Sequence, residues 1–238
     1  MNIRKVPYLL ATGSLIALCS IGCANQNNSQ ENSPLQKKYM ESVEKAALHE
    51  VKPAKLIAIP SGPQNIEMTT WTNENIPYGP YTLTEDTWVT ITKQMQNSCR
   101  KFPQNQVEEK IEEFLGMPPM KSYDGWHFVT MMVPNQQADM TGSTEGIGIF
   151  RPCVSTSSIR SNQCSFDADP KSGAYNAWSL NLMADEFTTT DPYPWSGLGY
   201  TYNWNPQAKS IVGGSEFLVT KGTQVQVIKS ETASEFCQ

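Results

Sequence analysis

The sequence predicts a single α+β domain, stapled by disulfides and built on a mixed or antiparallel sheet with a few helices. Three observations carry that expectation. Runs rich in β-branched and aromatic residues recur, as in Thr69-Thr70-Trp71-Thr72 and Thr87-Trp88-Val89-Thr90-Ile91-Thr92. Among them stands one strongly amphipathic stretch, Gln104 to Leu115, with Val107, Ile111, Phe114 and Leu115 on one helical face. Four cysteines, Cys99, Cys153, Cys164 and Cys237, are spread through the same region, an even number of the kind exported proteins pair. The domain should occupy residues 54–238, behind a signal at 1–22, a flexible tether at 23–34 and a helix at 35–53.

The N-terminus reads as an export signal. Arg4 and Lys5 form a short basic head, Tyr8 to Ile21 is largely apolar, and Gly22 precedes Cys23. The apolar run falls short of the ~20 residues that span a bilayer. Gly22-Cys23 resembles the lipobox of bacterial lipoproteins, with Ser20 where a leucine is usual. That resemblance implies a lipidated Cys23 as the mature N-terminus and the membrane as a partner. Ala24, rather than an aspartate, resembles the signal for outer-membrane sorting. Asn25 to Pro34 offers nothing apolar to bury and predicts a tether. Leu35 to Val51 then reads as a helix, with Met40, Val43 and Ala47 at helical spacing, ended by Pro53.

Leu56-Ile57-Ala58-Ile59, bounded by Pro53 and Pro60, predicts a short strand, and Pro77, Gly79 and Pro80 a loop. In the 104–115 helix, Glu108, Glu109, Glu112 and Glu113 fall off the apolar face and read as a solvated side. Gly116 suits the left-handed position after it, and Pro118-Pro119 prevent its resumption. Trp126 to Val133 predicts a strand buried on both faces, and Ile147 to Phe150 another. Asp169 or Ser172 is placed to cap a helix through Tyr175, Trp178 and Leu182. Glu216 to Thr220 and Thr223 to Ile228 flank Lys221-Gly222 and predict a hairpin, with Val225 and Val227 alternating against Gln224 and Gln226.

Four cysteines allow three pairings. The Ser-rich stretch from Val154 to Gln163 reads as a closed loop and favours Cys153–Cys164, which leaves Cys99–Cys237. Their wide spread lacks the close pairs of a zinc site. No metal or other cofactor is expected.

Charge narrows the function. The chain has 18 Lys+Arg against 23 Asp+Glu, and removing residues 1–22 takes away Arg4 and Lys5, leaving about −7. A nucleic-acid partner, which needs a basic face, is not expected. His49 and His127 are the only histidines, so a Ser-His-Asp triad would need one of them. Gly213-Gly214-Ser215-Glu216-Phe217 begins like a nucleophile elbow but ends in Phe217. No phosphate-binding loop, H-E-x-x-H or complete dinucleotide fingerprint is present. The aromatic run Tyr193 to Trp204 is the most distinctive mature segment. Trp195, Tyr200, Tyr202 and Trp204, with Asp191 nearby, are the binding candidates, because flat rings with a polar handle stack on sugars or anchor a partner; the same rings also fill cores, the reading that the two glycines and the proline among them favour. Asp185 and Glu186 lie just upstream.

Four segments, Phe114-Leu115-Gly116-Met117-Pro118-Pro119, Phe150-Arg151-Pro152-Cys153, Tyr193 to Trp204, and Gly214-Ser215-Glu216-Phe217-Leu218-Val219, are together similar to an uncharacterised family of exported bacterial proteins. That family reads approximately LGLPP, FRPC, YPWTRLGYTYDW and SEFVV. This chain departs from it at Met117, Ser196-Gly197 and Asn203. The resemblance implies export and paired cysteines. Glu216, opening a strand before Lys221-Gly222-Thr223, also resembles the catalytic glutamate of ADP-ribosyltransferases, although Gly214 stands where that family carries Gln or Glu. The expectation from sequence is therefore an envelope lipoprotein with a non-catalytic domain that binds a protein or cell-wall glycan. NAD-dependent ADP-ribosyl transfer or NAD glycohydrolysis through Glu216, and glycan binding through Tyr193 to Trp204, are the alternatives.

Overall fold

The computed structural model describes residues 33–140, 146–155, 157–167, 173–189 and 191–238. The signal, Cys23, most of the tether, and the capping positions Asp169 and Ser172 lie outside them.

The first described helix, α1 (Pro34–Ala47), starts where the tether was expected to end. The Ser33 hydroxyl caps it by accepting the Gln36 N–H at 3.0 Å, and Pro34 fits the first turn, where its missing N–H costs nothing. The helix stops four residues short of Val51, with His49 in the left-handed region at φ 54°. It docks on the domain: Tyr39, Val43 and Ala46 join a core with Leu198, Tyr200, Tyr202 and Trp204. Tyr39 stands edge-on to Trp204, and its hydroxyl donates to Pro192 O at 2.5 Å.

The main sheet has seven strands among the described residues. These are β1 (Asn65–Thr72), β2 (Gly79–Thr82), β3 (Thr87–Ile91), β4 (His127–Pro134), β5 (Ile149–Phe150), β8 (Phe217–Val219) and β9 (Gln224–Glu231), in the order β2-β9-β4-β1-β3-β8-β5. Every pairing between them is antiparallel. A separate pair joins β6 (Tyr200–Tyr202) and β7 (Val212–Ser215).

The hairpin expected across Lys221-Gly222 is not formed. β8 pairs with β3 and β5, whereas β9 pairs with β2 and β4. Val219 and Gln224 are five residues apart, reaching at most ~18 Å, yet four strand spacings of a flat sheet cover ~19 Å. The sheet therefore curls, and six strands supply one interior: Met68, Val89, Val129, Met131, Ile149, Phe217, Val219, Val225 and Val227. Thr220 and Thr223 hold the corner, both hydroxyls accepting the Gly148 N–H at 3.0 Å. Val225 and Val227 point inward and Gln224 and Gln226 outward, as their alternation predicts. A bulge then resets the register of β9 against β4 between Thr130 and Met131.

Leu56 to Ile59 forms no strand. Only Leu56 N–H and Ile59 N–H make backbone bonds, to Asn162 O and Ile159 O, and Pro60 cannot donate to extend the pairing.

The outer face of the sheet is covered by α2 (Thr92–Cys99), α3 (Val107–Leu115) and α5 (Ala233–Phe236), around Trp71 and Phe128. Each such buried apolar side chain stabilises by ~1.5–3 kcal/mol relative to exposure. Gly116 takes φ 75° after α3, the left-handed turn its position predicts. The four-glutamate side of α3 is not a solvated face. Glu112 and Glu113 are each 1% exposed: residues 118–123 fold back over Glu112, and the Trp204 N–H reaches the Glu113 carbonyl at 3.1 Å. The Glu112 carboxylate accepts the Met120 N–H at 2.8 Å and the Tyr123 hydroxyl at 2.9 Å, while Glu113 pairs with Lys110 at 2.7 Å. Burial raises Glu112 to about 7 despite those donors.

Both favoured disulfides are present: Cys99–Cys237, linking α2 to the end of α5, and Cys153–Cys164, with Cα atoms 5.4 and 5.8 Å apart. α4 (Gly173–Thr188) packs Tyr175 and Trp178 around Phe150.

Candidate functional site

A cleft of ≈ 490 Å³ opens beside the ends of β1 and β3, the turn after α3, the C-terminal part of α4 and the segment from Tyr193 to Trp195. The volume falls within the ~300–1,000 Å³ range of small-molecule sites. Rings form much of its wall: Trp71, Trp88, Trp126 and Phe128 from the sheet side, and Tyr193, Trp195 and Tyr202 opposite. Trp71 packs against Trp126 at 6.0 Å and Phe128 at 4.7 Å between ring centroids, which fixes that wall.

Two carboxyl groups meet in the cleft from different elements. Glu186 comes from α4, whose end is tied to the opposite wall by the Tyr193 N–H donating to Glu186 O at 2.8 Å. Glu216 sits at the single-residue step between β7 and β8, where the chain passes from the small sheet into the large one. Its N–H donates to Gly199 O at 2.9 Å. Burial first and the Glu186 charge second raise Glu216 to about 8, against the opposition of the Trp195 indole and the Arg151 guanidinium. Burial, then the Asp185 charge, raises Glu186 to about 7. Each carboxyl disfavours the charged form of the other, so the two titrate as a pair.

Several polar atoms here lack a hydrogen bond of proper geometry among the described residues: Trp71 Nε1, Thr90 Oγ1, Trp195 Nε1 and Glu216 Oε2. Trp71, Thr90 and Trp195 are 7%, 5% and 6% exposed, and all three line the cleft. The Trp195 indole lies near enough to Glu216 to favour its charged form without closing that bond. Unpaired polar atoms in so buried a wall call for a partner that the described residues do not supply.

Arg151 supports the site from behind and is fully buried. It donates to Ile57 O at 2.6 Å, Gly199 O at 3.3 Å and Ser161 O at 3.4 Å, and its guanidinium lies 4.3 Å from the Phe217 ring centroid. Burial lowers it to about 10, opposed by the Glu216 charge. Gly199, at φ 71°, leaves room for this packing: a Cβ there would lie 2.8 Å from both Arg151 Cδ and Cys164 Sγ.

The structure divides the sequence-derived candidates. Trp195, Tyr200, Tyr202 and Trp204 are all buried, so the segment offers no exposed aromatic shelf of the sort stacking through it requires. Tyr200 donates to Lys52 O at 2.9 Å and the Trp204 indole to Met117 O at 2.9 Å, holding the segment that follows α1 and the turn after α3. Only Trp195 and Tyr202 of the four reach the cleft. Asp191 is exposed and not among its lining residues. Glu216 is central to the cleft, but the strand it opens does not form the hairpin on which the ADP-ribosyltransferase likeness was drawn. His49 stacks on Phe166, and His127 Nδ1 lies 2.8 Å from Gly125 O; neither lines the cleft. Among the described residues no group of His, Cys, Asp and Glu is placed to hold a metal. No described helix is long and apolar enough to cross a membrane. Sequence reasoning did not assign Trp71, Trp88 or Trp126 to the site, since each reads as an ordinary strand aromatic until the sheet and the turn are assembled. Comparisons with protein-family models, with curated proteins and with solved structures give no match for this chain.

Proposed function

We propose that this protein is a bacterial envelope lipoprotein, tethered by acyl chains at Cys23, whose domain captures a saccharide in the aromatic cleft. The observation that carries the reading is the cleft wall itself. Flat rings stand beside buried indole N–H and threonine hydroxyl groups that lack partners. A sugar ring supplies what that wall lacks: apolar C–H faces for the rings and hydroxyls that both accept and donate. The site differs from the shelf expected between Tyr193 and Trp204, since most of its rings come from the sheet. Tryptophan fluorescence titration of the mature domain with cellobiose, maltose and lactose tests it. Saturable change is expected for at least one, and loss of that change in Thr87→Trp, which places a bulky ring at the cleft lining. No saturable change with any of the three overturns the reading.

The coupled Glu186–Glu216 pair supports a second reading, acid–base cleavage of a glycosidic bond, including the nicotinamide–ribose bond of NAD. Incubation with NAD, scored by nicotinamide release and by its loss in Glu216→Gln, decides that case. Release equal in the variant, or none above buffer, rejects it.

A further inference from the structure

The cleft contains one sign of charge. Glu74, Glu85, Asp86, Glu186 and Glu216 line it, and among the described residues no Lys, Arg or His does. At the rim, the Glu85 charge raises Glu74, so the like charges there already act on one another. Deeper in, Glu186 and Glu216 repel each other beneath rings whose faces also favour a cation. The nearest compensating charge, Arg151, stands behind Glu216 and is occupied by three carbonyls and the Phe217 ring.

An acidic cluster alone would not identify a ligand. The second observation is independent of charge: Trp71 Nε1 and Thr90 Oγ1 are unpaired on side chains more than nine-tenths buried in the same wall. Indole N–H groups need acceptors, which a simple alkylamine does not carry. One ligand must therefore offer hydroxyl oxygens to the wall and positive charge to the carboxylates.

Resting on the saccharide reading, we infer that the cleft selects sugars bearing a free, charged amino group over their neutral counterparts, with the ammonium seated at Glu186 and Glu216. Without ligand the pair holds protons near neutral pH, because burial and mutual repulsion disfavour its charged forms. An ammonium reverses that balance, so binding expels protons from the pair. The other groups acting on it are Arg151 from behind Glu216, Asp185 beside Glu186, and Tyr39 and Tyr193, whose hydroxyls burial first, and neighbouring charge including that of Glu186 second, keep protonated. The seat is thus tuned by the carboxyl pair itself.

Isothermal titration calorimetry of the mature domain at pH 7, with three disaccharides of one β-1,4 geometry, tests the inference: cellobiose, the di-glucosamine and its N-acetylated form. Each is run in phosphate and in Tris, whose different ionisation enthalpies reveal proton release. The di-glucosamine is expected to bind about 10- to 100-fold tighter than cellobiose, the range of a charge-assisted contact, with net proton release. Glu186→Gln and Glu216→Gln should each lower its affinity toward that of cellobiose for the wild type. Both variants mimic the protonated carboxyl, so the fold should persist, and circular dichroism checks that it does. Equal affinity for the charged and neutral sugars, or tighter binding of the N-acetylated form, overturns the charge selection and leaves the saccharide reading standing. Failure of all three sugars to bind overturns both.

Discussion

Replacing Glu216 by glutamine should stabilise the fold, increasingly so as pH rises. The carboxyl is held at about 8, against an ordinary 4.5, chiefly because its charged form is buried. The folded state therefore keeps a proton that the unfolded chain releases. Between 4.5 and about 8 the wild type loses stability through this one group, at ~1.4 kcal/mol per pH unit. Glutamine has the shape of the protonated acid and nothing to ionise, so the variant escapes the loss. The two proteins should have nearly equal stability at pH 4, and at pH 8 the variant should lead by roughly 3–5 kcal/mol, an upper figure because local relaxation and water entry relieve part of the burial. Urea unfolding followed by tryptophan fluorescence, under non-reducing conditions at pH 4, 6 and 8, measures the difference. A constant offset across that range would show that Glu216 is not buried against its charge, and the account of the cleft floor would be wrong.

Cys99→Ser should cost about 5 kcal/mol and Cys153→Ser about 3 kcal/mol in the chain-entropy treatment, since the bonds span 138 and 11 residues. Urea midpoints in the opposite order, or alkylation of these thiols without prior reduction, would refute the assignment. Arg151→Met removes the donors to Ile57 O, Gly199 O and Ser161 O and should destabilise by roughly 2–4 kcal/mol; an unchanged denaturation midpoint would contradict its placement as the buried clasp of three segments. Globomycin, or Cys23→Ser, should block maturation and accumulate the precursor on immunoblots; unchanged processing rejects lipidation.

Local chemistry was legible where one residue type decides the outcome. Gly116 ends α3 as its position foretold, and Val225 and Val227 turn inward against Gln224 and Gln226. Partners remote in the chain were not legible. Lys221-Gly222 carries a hairpin's chemistry, but the curl of the sheet places other strands on either side of it. Glu112 and Glu113 occupy the polar side of a helical pattern, and it takes the return of residues 118–123 and the approach of Trp204, both remote in the pattern, to make that side interior. The same limit applied to the site. Glu216 drew notice through its local context, whereas Glu186 and the tryptophans of the sheet side join it only through tertiary structure. Tyr200 and Trp204 read from sequence both as core and as contact surface, and only the packing of α1 against them decides for core.

The strand order also governs how the chain reaches this state. Among the described residues, the only successive strands of the main sheet that pair are β5 and β8, and α4 and the small β6–β7 sheet lie between them in the chain. Thr87 lies beside Val219 and Gly79 beside Val227, partners on the order of 130–150 residues apart, a separation that slows the search for native contacts. Little of this sheet can zip up locally, so assembly should wait on long-range encounters, with unpaired strands open to aggregation meanwhile. Cys99–Cys237 closes a loop of nearly the same span, and an oxidised chain begins that search with its distant halves already joined. Refolding of the oxidised protein should therefore outpace that of the reduced one, making the timing of oxidation a determinant of yield.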